Sequence, residues 1–348
     1  MNEMTQLERF RSEIPRRDLT ELQTQEDRLL AAIADQSSAA AGRAARRPRL
    51  IYRLRLGLAG LAVATVAAGI VVVSIDSGPG APQTIHTMPV AASQVLKRAA
   101  DNVGKTPELH PKPGQFLVFE SQTMDPSYGQ DREGRPERHL DRTRRKIWLP
   151  VEGDATGGVI EGELLAPKPF PGWPISQEAR ENVGRGGPSK LADFDDRAEY
   201  LRNDYAYVSH LPTEPAKMYE HLYTHLGHGA QADTEAWDRV RGLLSEAYLP
   251  AAQRAALFRA AAAIPGVITV DNAVDAVGRT GIAAARVDPV VGERHEYIFD
   301  RKTYMYLGER SVVTDAAQAG APVGSVLTSS AQLKVSIADH APAVVDEN

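Results

Sequence analysis

The densest group of side chains able to do chemistry is "HLYTHLGH", which places His221, His225 and His228 within eight residues. Imidazoles four residues apart lie on one face of a helix, where two of them can share a metal ion. No glutamate gives the His-Glu-x-x-His pattern of catalytic zinc sites. On a helical wheel His221 and His225 flank Met218 and Leu222, so the same spacing suits histidines bordering a core stripe. A third reading is pH sensing by charging of the imidazoles. The three stay open, with ordinary partial burial the best supported by the neighbours.

Other chemistry finds little support. There is no Gly-x-Ser-x-Gly elbow. "NVGRGGPSK" lacks the Gly-Lys-Ser/Thr of a phosphate loop and reads as flexible loop. The carboxylate pairs Asp195/Asp196 and Asp131/Glu133 sit in polar, arginine-bearing runs and read as solvated surface. The run "RPERHLDRTRRK" alternates arginine with acids, as the wet face of a strand does. The chain has no cysteine, which removes disulfides, thiol nucleophiles and Cys-ligated metals. No enzymatic reading emerges and no cofactor is implied. A net charge of −5 argues against nucleic-acid binding.

The charge is unevenly placed. Residues 1–55 carry 11 Lys and Arg against 8 Asp and Glu, whereas the remainder carries 29 against 37. Between these regions lies an uncharged stretch from Leu56 to Ile75. As a helix rising 1.5 Å per residue, a stretch of this size spans roughly 30 Å, the thickness of a bilayer's hydrocarbon core. A cleaved export signal would start nearer the N-terminus and have a shorter apolar region. Arg43, Arg46, Arg47, Arg49, Arg53 and Arg55 precede the stretch, and Asp76 with a Gly/Pro-rich segment follows. Arginine resists translocation, so the N-terminus is expected in the cytoplasm and the C-terminal part outside a cell membrane crossed once. Gly60, Ala64 and Ala68 share one helix face and would permit a homodimer through the span, or they reflect only how common small residues are there.

These features predict a cytoplasmic segment at 1–55, a transmembrane helix at 56–75, a linker at 76–89, an extracytoplasmic domain at 90–340 and a tail at 341–348. In the first segment Asp18 and Glu21 form a capping-box pattern. Leu19, Leu22, Leu29, Leu30 and Ile33 then give a partial apolar stripe, read either as a solvated marginal helix or as one that docks on a cytoplasmic partner. Outside, "VAASQVLKRAADNV" predicts a helix with Val90, Val95 and Ala99 on one face. "QFLVFESQT", "RRKIWLPV" and "GGVIEGELLA" predict strands. The stretch 167–196 reads as a long loop with Trp173 exposed in it. "EYLRNDYAYVSHL" reads as a further strand.

Three helices follow: one capped by Thr213, with Pro215 in its first turn and Gly227 as terminator; one with Trp237, Val240 and Leu244 on a face; and one between Pro250 and Pro265–Gly266. "GVITV", "GIAAARVD", "HEYIFD", "TYMYLGER" and "SSAQLKVSI" predict an antiparallel meander, with "VGRTG" and "DRKT" as hairpin turns. The expected class is α+β, a curved antiparallel sheet with helices inserted midway.

The segments "IPGVITVDNAVDAVGRTGIAAARVD" and "YIFDRKTYMYLGERSVV" resemble an uncharacterised actinobacterial family of single-pass membrane proteins, often encoded beside extracytoplasmic-function sigma factors. So do "LERFRSEIPRRDLTELQTQEDRLLAAI", the span and "YLPAAQRAALFRAAAAIPG". The resemblance implies an architecture and a genetic context rather than a reaction. The layout is similar to that of transmembrane anti-sigma factors, with a sigma factor as the implied cytoplasmic partner. It departs from their zinc-containing class, because residues 1–55 hold neither His nor Cys. The outer domain also looks like the half-barrels of periplasmic lipoprotein carriers and sigma-regulatory binding proteins. The expected function is therefore a membrane-anchored regulatory protein with an outer ligand- or partner-binding domain. The alternative is a carrier or chaperone that binds lipid or another apolar ligand at the outer membrane face.

Overall fold

The computed structural model describes Met88 and residues 93–344, apart from Thr106, 132–133, 154–156 and 192–197. The chain divides into two units, Met1–Ser77 and Gly78–Asn348, and every described residue belongs to the second. The Leu19–Ile33 stripe, the arginine flank and the Leu56–Ile75 span lie outside the described residues, as do Val90, Glu133, Asp195 and Asp196. Among the described residues no helix is long and apolar enough to cross a membrane.

The described unit is α+β. Nine antiparallel strands form one open sheet: β1 (Phe116–Gln130), β2 (Pro136–Pro150), β3 (Val159–Pro169), β4 (Gly186–Lys190), β5 (Ile268–Val274), β6 (Thr280–Asp288), β7 (Glu293–Phe299), β8 (Tyr306–Val313) and β9 (Val326–Ala338). Their order is β4-β3-β2-β1-β9-β8-β7-β6-β5, so every neighbour is a hairpin partner except β1 and β9, which join the two halves. The helices are α1 (Gln94–Asn102), α2 (Gln177–Glu181), α3 (Tyr205–Val208), α4 (Pro215–Leu222), α5 (Ala230–Ser245), α6 (Ala251–Ala261) and α7 (Ala316–Ala319). Helices α3 to α6 are inserted between the two halves of the sheet, as the sequence predicts.

β1 and β2 pair over their whole length, from Phe116 opposite Pro150 to Gln130 opposite Pro136. Leu117, Phe119, Ile147 and Leu149 point to the helix-bearing face, where Tyr248 packs on them. Val118, Trp148 and Val159 point to the other face and are covered by Ala338, Ala341 and Val344 of the chain end. With both faces covered, "FLVF" reads as a continuous apolar run rather than an alternating one.

The main core lies under the helices. α1 and α4 pack on α6, whose Ala256, Ala260 and Ala261 are buried and leave room for close approach. Beneath them Ala284, Tyr297 and Phe299 of β6 and β7 complete the cluster. Trp237 of α5 stacks on Tyr297 with ring centroids 4.3 Å apart, and the Tyr297 hydroxyl donates to the Trp237 carbonyl at 2.6 Å. Buried Arg286 of β6 donates to the carbonyls of Pro265 and Ala230 and to the Thr234 hydroxyl, fixing the start of α5 on the sheet.

Several expectations need correction. "EYLRNDYAYVSHL" is not a strand: a 3-10 turn at Glu199–Leu201 precedes α3, because the Asp204 carboxylate caps the Tyr207 amide at 3.0 Å and starts a helix. The stretch 167–196 is not one long loop, since it contains the end of β3, α2 and edge strand β4, the last within the segment read as flexible. Trp173 is half-buried against the Met124–Leu140–Phe170 cluster, with the Arg138 guanidinium 5.0 Å from its ring centre. α4 is preceded by Glu214 rather than capped by Thr213, and ends at Leu222 rather than Gly227. Its early end has a cause: Arg239 of α5 donates to the carbonyls of Leu222 and Thr224, taking up acceptors that a further turn would have used.

Candidate functional site

Along β1 the helix-bearing face starts apolar at Leu117 and Phe119 and turns polar at Ser121, Thr123 and Asp125. The pairing register carries the same change across the sheet. Ser121 lies opposite Arg145 of β2 and Gln332 of β9, and Thr123 lies opposite Thr143 and Ser330. On β7 and β8, Glu309 sits opposite Tyr297, and Ser311 opposite His295. A belt of polar side chains therefore crosses five strands at one level, beyond the reach of the apolar core.

α5 lies over this belt. One of its faces buries Trp237, Val240 and Leu244, and the other presents Asp238, Arg241, Gly242 and Ser245. Polar side chains facing polar side chains cannot close as a hydrophobic core does. A cavity of about 530 Å³ remains between them, within the range of roughly 300–1,000 Å³ typical of small-molecule sites. Asp125 and Arg241 are exposed at its edge, whereas Tyr297 is fully buried at its wall.

Glu309 is its central group. Gly308 places it: with φ +153°, and with a Cβ there running into the Ser330 carbonyl, only glycine lets β8 approach β9 this closely. The turn between β5 and β6 braces the same point. The buried Asp275 carboxylate accepts from Arg279 Nε at 2.6 Å, and Arg279 Nη2 donates to the carbonyls of Leu307 and Gln332 at 2.8 and 2.9 Å. Burial pushes the Glu309 carboxyl up to about 7; Arg241 opposes the rise, and the charges of Asp125, Asp238 and Glu246 add to it. Burial also raises Asp238, against the pull of His295, Arg241 and Arg286. Tyr297 and Tyr306 are held well above the ordinary phenol value by burial, so both present neutral hydroxyls.

The cavity's polar groups are incompletely satisfied. Glu309 Oε2, His295 Nε2 and Arg145 Nε are closed off from solvent without a hydrogen-bond partner. Most buried polar atoms find a partner, so three orphans around one cavity mark a place built to hold water or a polar solute. Two guanidinium groups of the lining are nonetheless held by carboxylates, Arg145 through Nη2 and Arg310 through Nε. Arg145 pairs with Glu246 at 2.7 Å, and Arg310 pairs with Glu296 at 2.8 Å, which also accepts from Arg294.

A second cavity of about 470 Å³ lies between α1, α6, the end of α5 and β9. Leu243, Leu257, Phe258 and Val335 give it an apolar lining, and it shares Tyr306 and Gln332 with the first.

The histidines singled out by spacing line neither cavity. The His221 ring faces Tyr207 at 6.2 Å, and burial, with Arg239 nearby, holds its pKa below the usual value. His225 adopts a left-handed backbone past the helix end and lies 5.0 Å from the Tyr200 ring. His228 is exposed. Among the described residues no three His, Asp or Glu side chains converge to hold a metal. The arginine-rich run of β2 is not wholly a wet face: Arg144 lies outward near Glu163 while Arg145 points into the cavity. Sequence reading missed the cavity, although the change from Leu117 and Phe119 to Ser121, Thr123 and Asp125 at period two was a visible sign. No protein-family model matches the chain, no curated protein is detectably similar to it, and no solved structure matches it.

Proposed function

We propose that the chain is a membrane-anchored regulatory protein whose outer domain binds a small polar solute in the Glu309 cavity. The observation that carries this reading is an incompletely satisfied polar chamber between α5 and the sheet. The uncharged Leu56–Ile75 stretch behind six arginines supports the anchor and its orientation. The Leu19–Ile33 stripe supplies a cytoplasmic contact, with a sigma factor the partner implied by the resemblance. Native mass spectrometry of the full chain from its host, released from detergent in the spectrometer, tests the site: a bound polar molecule of small mass supports it, and a ligand-free spectrum opposes it. A pull-down with residues 1–55 that recovers no specific partner would remove the regulatory half of the proposal.

The second reading, a carrier of apolar molecules, is favoured by the apolar side chains that form part of the 470 Å³ cavity's lining and by the open sheet with helices on one face, the layout of half-barrel carriers. It expects co-purified lipid in the same spectrum.

A further inference from the structure

We propose that the solute bound in the Glu309 cavity is a small organic cation, an amine with hydrogen-bonding arms. This rests on the solute-binding reading above and adds the ligand's chemical class.

Charge decides between ligand classes. Asp125, Asp238, Glu293 and Glu309 line the cavity and form no ion pair among the described residues, whereas Arg145 and Arg310 are each held by a carboxylate of their own. That leaves Arg241, exposed at the edge, as the one uncommitted guanidinium lining the chamber among the described residues. An anion would meet four carboxylates, with only Arg241 and the His295 imidazole to receive it among the described residues. A bare metal ion would need converging ligands, and no three such side chains converge here. A lipid tail would have to displace water from Ser121, Thr123, Thr328 and Ser330 without replacing its hydrogen bonds. An amine offers positive charge to the carboxylates and N–H donors to Glu309 Oε2, an acceptor left without a partner.

The same geometry couples binding to protons. Glu309 is faced by Asp238, Arg241 and Glu246 from α5 and its end, by Asp125 from β1, by Tyr297 from β7 and by Tyr306 from β8. At a pH below about 7 Glu309 carries a proton, which an incoming cation must expel. Affinity therefore rises with pH.

The test is isothermal titration of the full chain in a non-ionic detergent with putrescine and spermidine, beside citrate and glucose as anionic and neutral controls. We expect the two amines alone to bind, about thirtyfold more weakly at pH 5.5 than at pH 8, as a carboxyl titrating near 7 requires. Arg241→Gln, at an exposed position, should tighten amine binding about threefold, and Asp125→Asn should weaken it by a similar factor, the size of one screened charge contact. Glu309→Gln should flatten the pH dependence, leaving the smaller part that Asp238 supplies. Binding of citrate or glucose in preference to the amines, weakening of amine binding by Arg241→Gln, or no heat from either amine would overturn the proposal. The mass spectrum separates this from failure of the underlying reading: a neutral or anionic solute found there leaves the site standing and removes only its assigned class.

Discussion

Two regions on the same face of one sheet behave in opposite ways. Over β6 and β7 near Phe299, α1, α4 and α6 press alanines and aromatic rings together, and Trp237 Nε1 is a buried polar atom left there without a hydrogen-bond partner. Over β1, β8 and β9, α5 meets serines, threonines and carboxylates, and the space between stays open. The backbone and the helices are of the same kind in both places. The difference comes from which side chains the register turns inward, and it decides whether a helix on a sheet makes a core or a chamber.

Trp237 belongs to the closed region, and its truncation gives the largest expected effect. Trp237→Ala removes a fully buried indole and its stack on Tyr297, and should cost about 3–5 kcal/mol by chemical denaturation. A loss under 1 kcal/mol would mean that this side is not packed as described.

In the open region the expected sign reverses. Glu309 binds its proton more tightly folded, at about 7, than unfolded, near 4.5. Its contribution to stability is thus fully present below 4.5 and is lost as pH rises through 7. Glu309→Gln mimics the protonated form, so at pH 8 the variant should be more stable than the parent by about 2–3 kcal/mol. At pH 4 the two should unfold alike. His221 acts in the opposite direction: with its pKa lowered by burial, its contribution is present above 6.5 and fades as pH falls below that value. A His221→Gln variant should therefore lose part of the parent's destabilisation between pH 6.5 and 5. The smallest effect belongs outside both regions. Arg144 and Glu163 are exposed and 3.3 Å apart, and Arg144→Ala should change stability by less than about 0.5 kcal/mol.

The strands and main helices were legible in the sequence because each carries its own signal. Short apolar runs separated by the turns "VGRTG" and "DRKT" mark β5 to β8, and prolines mark the starts of α4 and α6. β4 was not legible, since "GGPSK" has no apolar rhythm. It becomes a strand only by pairing with β3, from Val159 opposite Lys190 to Glu163 opposite Gly186. The tyrosines around Asp204 imitate a strand's period until the aspartate caps the backbone into a helix. The cavity was hidden for a different reason. His221 and His225 are neighbours in sequence, whereas Glu309, Asp238 and Asp125 meet only once three pieces of register and the seat of α5 are fixed. Sequence proximity drew the eye to the histidines, and topology built the site elsewhere.

The ionisation of Glu309 tests the chamber most directly. Infrared difference spectra of the parent minus Glu309→Gln, taken from pH 4 to 9, isolate this one carboxyl. A titration centred near 7 that moves to lower pH when putrescine is added is the predicted result. A midpoint near 4.5, unmoved by the amine, would contradict it.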